Sequence, residues 1–194
     1  MVTTLLIEIT WVGRGGQGAV TASRLFASAV YRENYWAQSI VFFGAERRGA
    51  PVYAYNRLSD KVIKFHHFVN SPDIAIFFDL ELLKITKVLQ NLKDGGSILL
   101  NYSGSLSSIK NIIPKKVKKI GIVDATGIAV ELKLTIAGLH VINTAMLGAL
   151  SRILNLPSID AIQYVIKNNW PGKIGEKNAI AATKAYNNIE ITGL

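Results

Sequence analysis

Gly13-Arg14-Gly15-Gly16-Gln17-Gly18 separates an apolar run, Leu5 to Val12, from an amphipathic segment, Ala19 to Tyr31. The run LLIEITWV is rich in leucine, β-branched and aromatic residues and reads as a buried first strand. Ala19, Ala22, Leu25, Phe26, Ala29 and Val30 recur at the spacing of a helix buried along one stripe, and the small residues allow close packing on a sheet. Glycines at 13, 15 and 18 have the G-x-G-x-x-G spacing, which turns a strand sharply into a helix and lets backbone come close to a phosphate. The positive end of the following helix favours an anion at the same place, so Gly13, Arg14, Gly15, Gly16, Gln17 and Gly18 are candidate binding residues. The plainer reading is that the glycines serve only the tight turn.

Outward from this turn, Tyr35 to Phe43 reads as a second apolar strand, interrupted by Gly44-Ala45-Glu46-Arg47-Arg48-Gly49-Ala50-Pro51. Val52 to Leu58 alternates into a strand, Ser59-Asp60 reads as a tight turn, and Lys61 to Phe68 returns, which predicts an antiparallel hairpin. Strand and helix then alternate: Ile74 to Phe78 and Leu80 to Leu92, Ser97 to Leu100, then Lys119 to Val123 with Asp124-Ala125-Thr126 opening a small-residue helix. Helical patterns follow near Val141 to Leu154, Ser158 to Asn168 and Glu176 to Tyr186. This order predicts an α/β fold: a three-layer, mainly parallel (mixed) sheet with helices on both faces, a Rossmann-like glycine turn after the first strand and one antiparallel hairpin. No linker or repeat divides the chain, so residues 1–194 are expected to form a single domain.

With 194 residues, 49% of them hydrophobic, the chain is long enough to bury about 70% of the surface its unfolded form exposes. The absence of cysteine excludes disulfides, iron–sulfur ligation and a catalytic thiol, and three histidines argue against a dedicated zinc site; no metal site is expected. No signal-peptide pattern and no apolar run of the ~18–20 residues that span a bilayer is present, so a cytoplasmic location away from the membrane is expected. The net charge of +9 suits an anionic partner. The cluster Lys115, Lys116, Lys118 and Lys119 reads first as solvated surface, and it lacks the aromatic platform or recognition helix of a nucleic-acid binder.

A nicotinamide-dinucleotide fold supplies an acid about 20 residues past the glycine turn to hold the ribose. Gln38, Ser39 and Ile40 occupy that region, and Glu33 falls in the turn before the strand, out of reach. Glu46, Arg47 and Arg48 crowd three charges between two glycines, a pattern suited to an intersubunit ion-pair network or to holding an anion; the plainer reading is a solvated loop. Asn143 and Thr144 interrupt an apolar helix and are candidates for ligand contact, with hydrogen bonding to a neighbouring loop as the alternative. His66 and His67 are expected on opposite faces of a strand in structural roles, and Asp124 as a helix N-cap rather than an acid paired with Glu131.

Six blocks in order resemble one known family, the gamma subunit of 2-oxoacid:ferredoxin oxidoreductases such as pyruvate synthase. They are Gly13 to Thr21, Phe43 to Val52 (the most specific), Ser71-Pro72-Asp73, Asp124 to Ala129, Asn143 to Ala149 and Gly172 to Asn178. Val41 departs from the family pattern, where many relatives have proline. The resemblance implies a hetero-oligomeric oxidoreductase that converts an oxoacid, coenzyme A and oxidised ferredoxin to an acyl-CoA, carbon dioxide and reduced ferredoxin. Pyruvate is the expected oxoacid. It further implies alpha, beta and delta subunits as partners, ferredoxin reached through the complex, and thiamine diphosphate, magnesium and iron–sulfur clusters carried on other chains, with no cofactor bound by this chain alone and no catalytic residue within it. The Gly44 to Pro51 loop is expected at a subunit contact near the shared active site. The alternative from another class is a stand-alone nucleotide-binding reductase, whose ribose-binding acid and catalytic donor are missing here.

Overall fold

The computed structural model describes residues 5–42 and 50–193; residues 1–4, 43–49 and 194 lie outside the described residues. β1 (Leu6–Arg14) leads through the glycine turn into α1 (Ala19–Arg32), and β2 (Trp36–Phe42) and β3 (Pro51–Ser59) follow. The chain continues through β4 (Ile74–Phe77), α2 (Leu80–Ile85), α3 (Val88–Asn91), β5 (Ser97–Asn101), α4 (Leu106–Ile109), β6 (Lys119–Val123) and α5 (Ala125–Glu131). A short ribbon of β7 (Thr135–Ile136) and β8 (Leu139–His140) precedes α6 (Asn143–Leu154), α7 (Ile159–Asn169), α8 (Lys173–Asn188) and β9 (Glu190–Gly193).

The sheet has the order β2-β3-β1-β4-β5-β6-β9. β1, β4, β5 and β6 run parallel, with antiparallel pairs added at both flanks: β3 on β1, β2 on β3, and β9 on β6. Helices cover both faces, so the expected α/β mixed sheet is the one observed. Parallel strands covered on both sides must be apolar throughout, and all four residues of β4 are buried.

Register explains how α1 is seated. Trp11 meets Phe26 of α1 edge-on, with ring centroids 6.3 Å apart, and its indole N–H donates to Asn56 Oδ1 at 2.7 Å. The Asn56 amide in turn donates to the carbonyls of Ser23 (3.0 Å) and Gln38 (2.8 Å). One fully buried amide thereby joins α1, β1, β2 and β3, each of its polar atoms satisfied as burial requires. Glu33, placed by sequence in the turn after α1, accepts from the backbone N–H of Ser158 at 2.9 Å and ties that turn to the N-cap of α7.

Three expectations need correction. The hairpin between 52–58 and 61–68 does not form, because both edges of β3 are already occupied, by β1 on one side and β2 on the other. Antiparallel pairing is present, but between β2 and β3. Residues 61–68 instead form an irregular strap whose backbone carbonyls accept from side chains of the sheet below: Ile63 and Phe65 from Gln38, His67 and Phe68 from Arg57. The histidines therefore are not on opposite strand faces; His66 Nδ1 lies 3.2 Å from Gln38 Nε2 and His67 Nδ1 lies 3.2 Å from Arg57 Nη2. The helix expected over 80–92 is split, since Thr86 adopts extended backbone and its hydroxyl donates to the Leu82 carbonyl at 2.8 Å, closing α2.

Candidate functional site

The carboxyl ends of β1, β4, β5 and β6 lie along one edge of the sheet, where open α/β sheets bind ligands. The glycine turn sits there. Its glycines have different reasons to be glycine. A Cβ on Gly13 would stand 2.9 Å from the Ala19 Cβ, so this residue allows α1 to lie close against β1. Gly18, the α1 N-cap, has φ 85°, and a Cβ there would stand 2.7 Å from the Asn143 amide nitrogen. Gly16 has φ 91°, and its Cβ would meet Leu139 of β8 at 2.8 Å. Gly15 is exposed, has no positive φ, and a Cβ on it would meet no described atom within 4 Å.

Gln17 closes the turn on itself: its side-chain oxygen accepts from the Arg14 N–H at 2.7 Å, and its own N–H donates to the Arg14 carbonyl at 3.1 Å. Arg14 reaches across to β4's end, where its Nε donates to Asp79 Oδ2 at 2.8 Å. That hydrogen bond raises the Arg14 pKa against the opposing effect of burial. Asp79 also caps α2, its Oδ1 accepting from the Leu82 N–H at 2.9 Å. Farther along the edge the Asn101 amide donates to the Phe78 carbonyl and to Thr126 Oγ1, both at 2.9 Å, and Asp124 Oδ1 accepts from the Gly127 N–H at 2.8 Å as the N-cap of α5.

Of the residues marked from sequence, the fold brings Asn143 to the glycine turn, 125 positions from Gly18. Its side chain packs where a Gly18 Cβ would be, and its Oδ1 accepts from the Thr144 N–H at 2.8 Å. Thr144 turns the other way: fully buried, it donates to Asn178 Oδ1 of α8 at 3.0 Å, and Asn178 donates to the Ile174 carbonyl at 2.9 Å. The pair thus divides between the turn and the α6–α8 contact. Glu46, Arg47 and Arg48, with the rest of the Gly44 to Gly49 stretch, lie outside the described residues. Glu131 pairs with Lys184 of α8, and Lys116 Nζ donates to the Leu92 carbonyl at 2.6 Å, so part of the lysine cluster ties down the chain's own backbone.

Sequence reasoning missed Asp79 and Leu139. Asp79 has a local signal, an N-cap aspartate with Glu81 in the first turn of the helix it opens. Leu139 has none, because its importance comes from the β7–β8 ribbon folding back onto Gly16. Among the described residues no group of three or more His, Cys, Asp or Glu side chains is placed to hold a metal ion, and no helix is long and apolar enough to cross a membrane.

Comparison with known proteins adds extent to this geometry. The family model described as pyruvate ferredoxin/flavodoxin oxidoreductase matches residues 8–188. The pyruvate/ketoisovalerate oxidoreductases common subunit gamma of Thermococcus kodakarensis is 44% identical over 182 residues, covering 94% of this chain and 96% of the relative. The pyruvate synthase subunit PorC of Methanothermobacter thermautotrophicus is 43% identical over 185 residues, covering 95% and 97%. The crystal structure of the pyruvate oxidoreductase subunit PORC of Thermotoga maritima superposes with a TM-score of 0.83 at 30% identity, covering 96% of this chain and 98% of that one.

Proposed function

This chain belongs to the pyruvate ferredoxin/flavodoxin oxidoreductase family, and on that premise we propose that it is the gamma subunit of a 2-oxoacid:ferredoxin oxidoreductase acting on pyruvate. The observation that carries the reading is coextension: a relative named as a common subunit gamma and one named as pyruvate synthase subunit PorC match it over 96% and 97% of their own length. A chain of that extent without cysteine cannot ligate an iron–sulfur cluster. The complex would therefore hold thiamine diphosphate, magnesium and the clusters on its alpha, beta and delta subunits, which supply decarboxylation of the oxoacid and passage of electrons to ferredoxin. Coenzyme A takes up the acyl group. This chain, a single domain over 1–194 working in the cytoplasm, contributes binding.

Within that division of labour the glycine turn is the residue set aimed outward. Gly15 is open where Gly13, Gly16 and Gly18 are occupied by the chain's own packing, and this supports contact with a phosphate of coenzyme A or a carboxylate of a partner chain. Arg14 and Asn143 border the same place, while Gln17 shapes it and Thr144 anchors α6 behind it. Glu46, Arg47 and Arg48, outside the described residues, are assigned by the same reading to an intersubunit ion pair or to holding an anion near the shared active site.

Coexpression with cysteine-rich and thiamine-binding chains, followed by native mass spectrometry and a pyruvate- and CoA-dependent ferredoxin reduction assay, tests the assignment. Stoichiometric incorporation, and loss of activity when this chain is omitted, are expected. Full activity without it, or nucleotide-dependent reductase activity by the chain alone, would overturn the reading.

A further inference from the structure

We propose that the aromatic face formed by β2, β3 and the strap 61–68 is the surface on which this subunit docks a partner subunit of its complex, one presenting apolar side chains ringed by carboxylates. The proposal rests on the subunit reading above and adds the place and chemistry of the contact. Register puts Trp36, Gln38, Ile40 and Phe42 of β2 on the same face as Ser59, Arg57, Tyr55 and Tyr53 of β3, opposite the face that packs on α1. No helix is needed to order the strap over this face. Arg57 does so: its side chain is fully buried and donates to Glu8 Oε1 (2.9 Å), the His67 carbonyl (2.7 Å) and the Phe68 carbonyl (3.3 Å). Its guanidinium also lies over the Phe65 ring, 4.7 Å from the centroid.

Pinned in this way, the strap displays aromatic side chains instead of burying them. Phe68 packs edge-on to Phe42 at 5.4 Å and tilted to Tyr55 at 5.6 Å, yet Phe42 remains 45% and Phe68 43% exposed. Phe65 and Val62 of the strap, and Trp36 on the same face at the other end of β2, are also exposed. Preordered aromatics held half exposed, as Phe42 and Phe68 are, serve protein interfaces as anchors, since large rigid side chains lose little entropy when covered. Charge selects the occupant. The strap carries Lys61 and Lys64 and no carboxylate, on a chain of net charge +9, so a second copy would bring like charge against like, whereas an acidic-rimmed partner is attracted.

The test compares Phe42→Ser/Phe68→Ser with Tyr31→Ser, an aromatic change on α1 at a side chain 72% exposed, in the reconstituted complex. Binding to the coexpressed catalytic subunits is measured by interferometry at two salt concentrations. Tyr31→Ser is expected to keep the isolated chain's melting temperature and the double variant to lower it by about 5–10 °C while staying folded at the assay temperature, with the double variant binding the subunits about 100-fold more weakly and Tyr31→Ser binding normally. Lys64→Glu is expected to slow association about tenfold at low salt and less at high salt. Failure of the unmodified chain to join the complex would instead overturn the subunit reading. If it joins and the double variant binds equally well, the face is not the docking surface. A dimer of the isolated chain, seen by light scattering and dissolved by the double variant, would make a second copy the occupant and overturn the proposal.

Discussion

The glycine turn and the strap are both irregular segments on one sheet, but they are held by opposite means. The turn is shaped by absence: Gly13, Gly16 and Gly18 lack the Cβ atoms that Ala19, Leu139 and Asn143 would meet. The strap is shaped by presence, a buried arginine that spans from β3 to four strap and sheet partners, with Gln38 of β2 beside it. Close backbone fit leaves a surface where backbone can meet a ligand; a buried cation holding loop carbonyls leaves a surface where side chains can meet a partner. The first suits an anion and the second an apolar interface.

The largest expected effect breaks the strap. Arg57→Ala leaves Glu8 with Lys93 in place of two cations and takes the Arg57 donors from the His67 and Phe68 carbonyls, and is expected to cost about 2–4 kcal/mol in urea unfolding of the isolated chain. A loss below about 1 kcal/mol would mean that the strap is held by something other than Arg57. Next comes Gly18→Ala, which forces a side chain into a left-handed φ and against Asn143; a loss of about 1–3 kcal/mol in the same measurement is expected. A neutral result would show that α6 can retreat, and the turn would then be no better fitted than the strap.

Alkaline titration sharpens the contrast. Burial raises the pKa values of Tyr53 and Tyr55 on the aromatic face. For Lys93, burial works downward but pairing with Asp73 and Glu8 outweighs it, so its pKa is raised too. A folded pKa above the unfolded value means stability fully present below the unfolded pKa and lost as pH rises through the folded one. The melting temperature is therefore expected to hold between pH 7 and 9 and to fall above about pH 10, where tyrosine and lysine ordinarily begin to titrate. Tyr53→Phe with Tyr55→Phe should flatten the tyrosine part of that fall, since phenylalanine carries no ionisable hydroxyl. The smallest stability effect is expected at Gly15. Gly15→Ala should stay within about 0.5 kcal/mol of the parent, because no described atom opposes the new methyl, while weakening assembly or CoA use about tenfold. Gly16→Val could not separate these roles, since its φ and Leu139 make it destabilising in any case.

Local order was legible because it depends on neighbours in sequence. The helical stripe from Ala19 to Val30, the apolar strands at 74–77, 97–101 and 119–123, and the N-cap at Asp124 all follow from period and capping chemistry within a few residues. The glycine turn was legible as a turn for the same reason. Which of its glycines faces outward was not, because Leu139 and Asn143 arrive from more than 120 residues away. The split of Asn143 from Thr144 likewise required α8, which supplies Asn178 to Thr144 while Asn143 packs against Gly18.

The strap shows the limit most clearly. Lys61 to Phe68 has the composition of a strand, and sequence alone could establish that it is apolar, basic and adjacent to β3. Whether it pairs depends on whether an edge of β3 is open, and an edge is a property of the whole sheet. Tertiary structure placed β1 and β2 on the two edges, and the strap's backbone carbonyls then took the donors that remained, the side chains of Gln38 and Arg57. Sequence determined the elements and the chemistry they carry, because backbone periodicity and charge are local; the fold decided which groups meet, because hydrogen-bonding edges are filled only once.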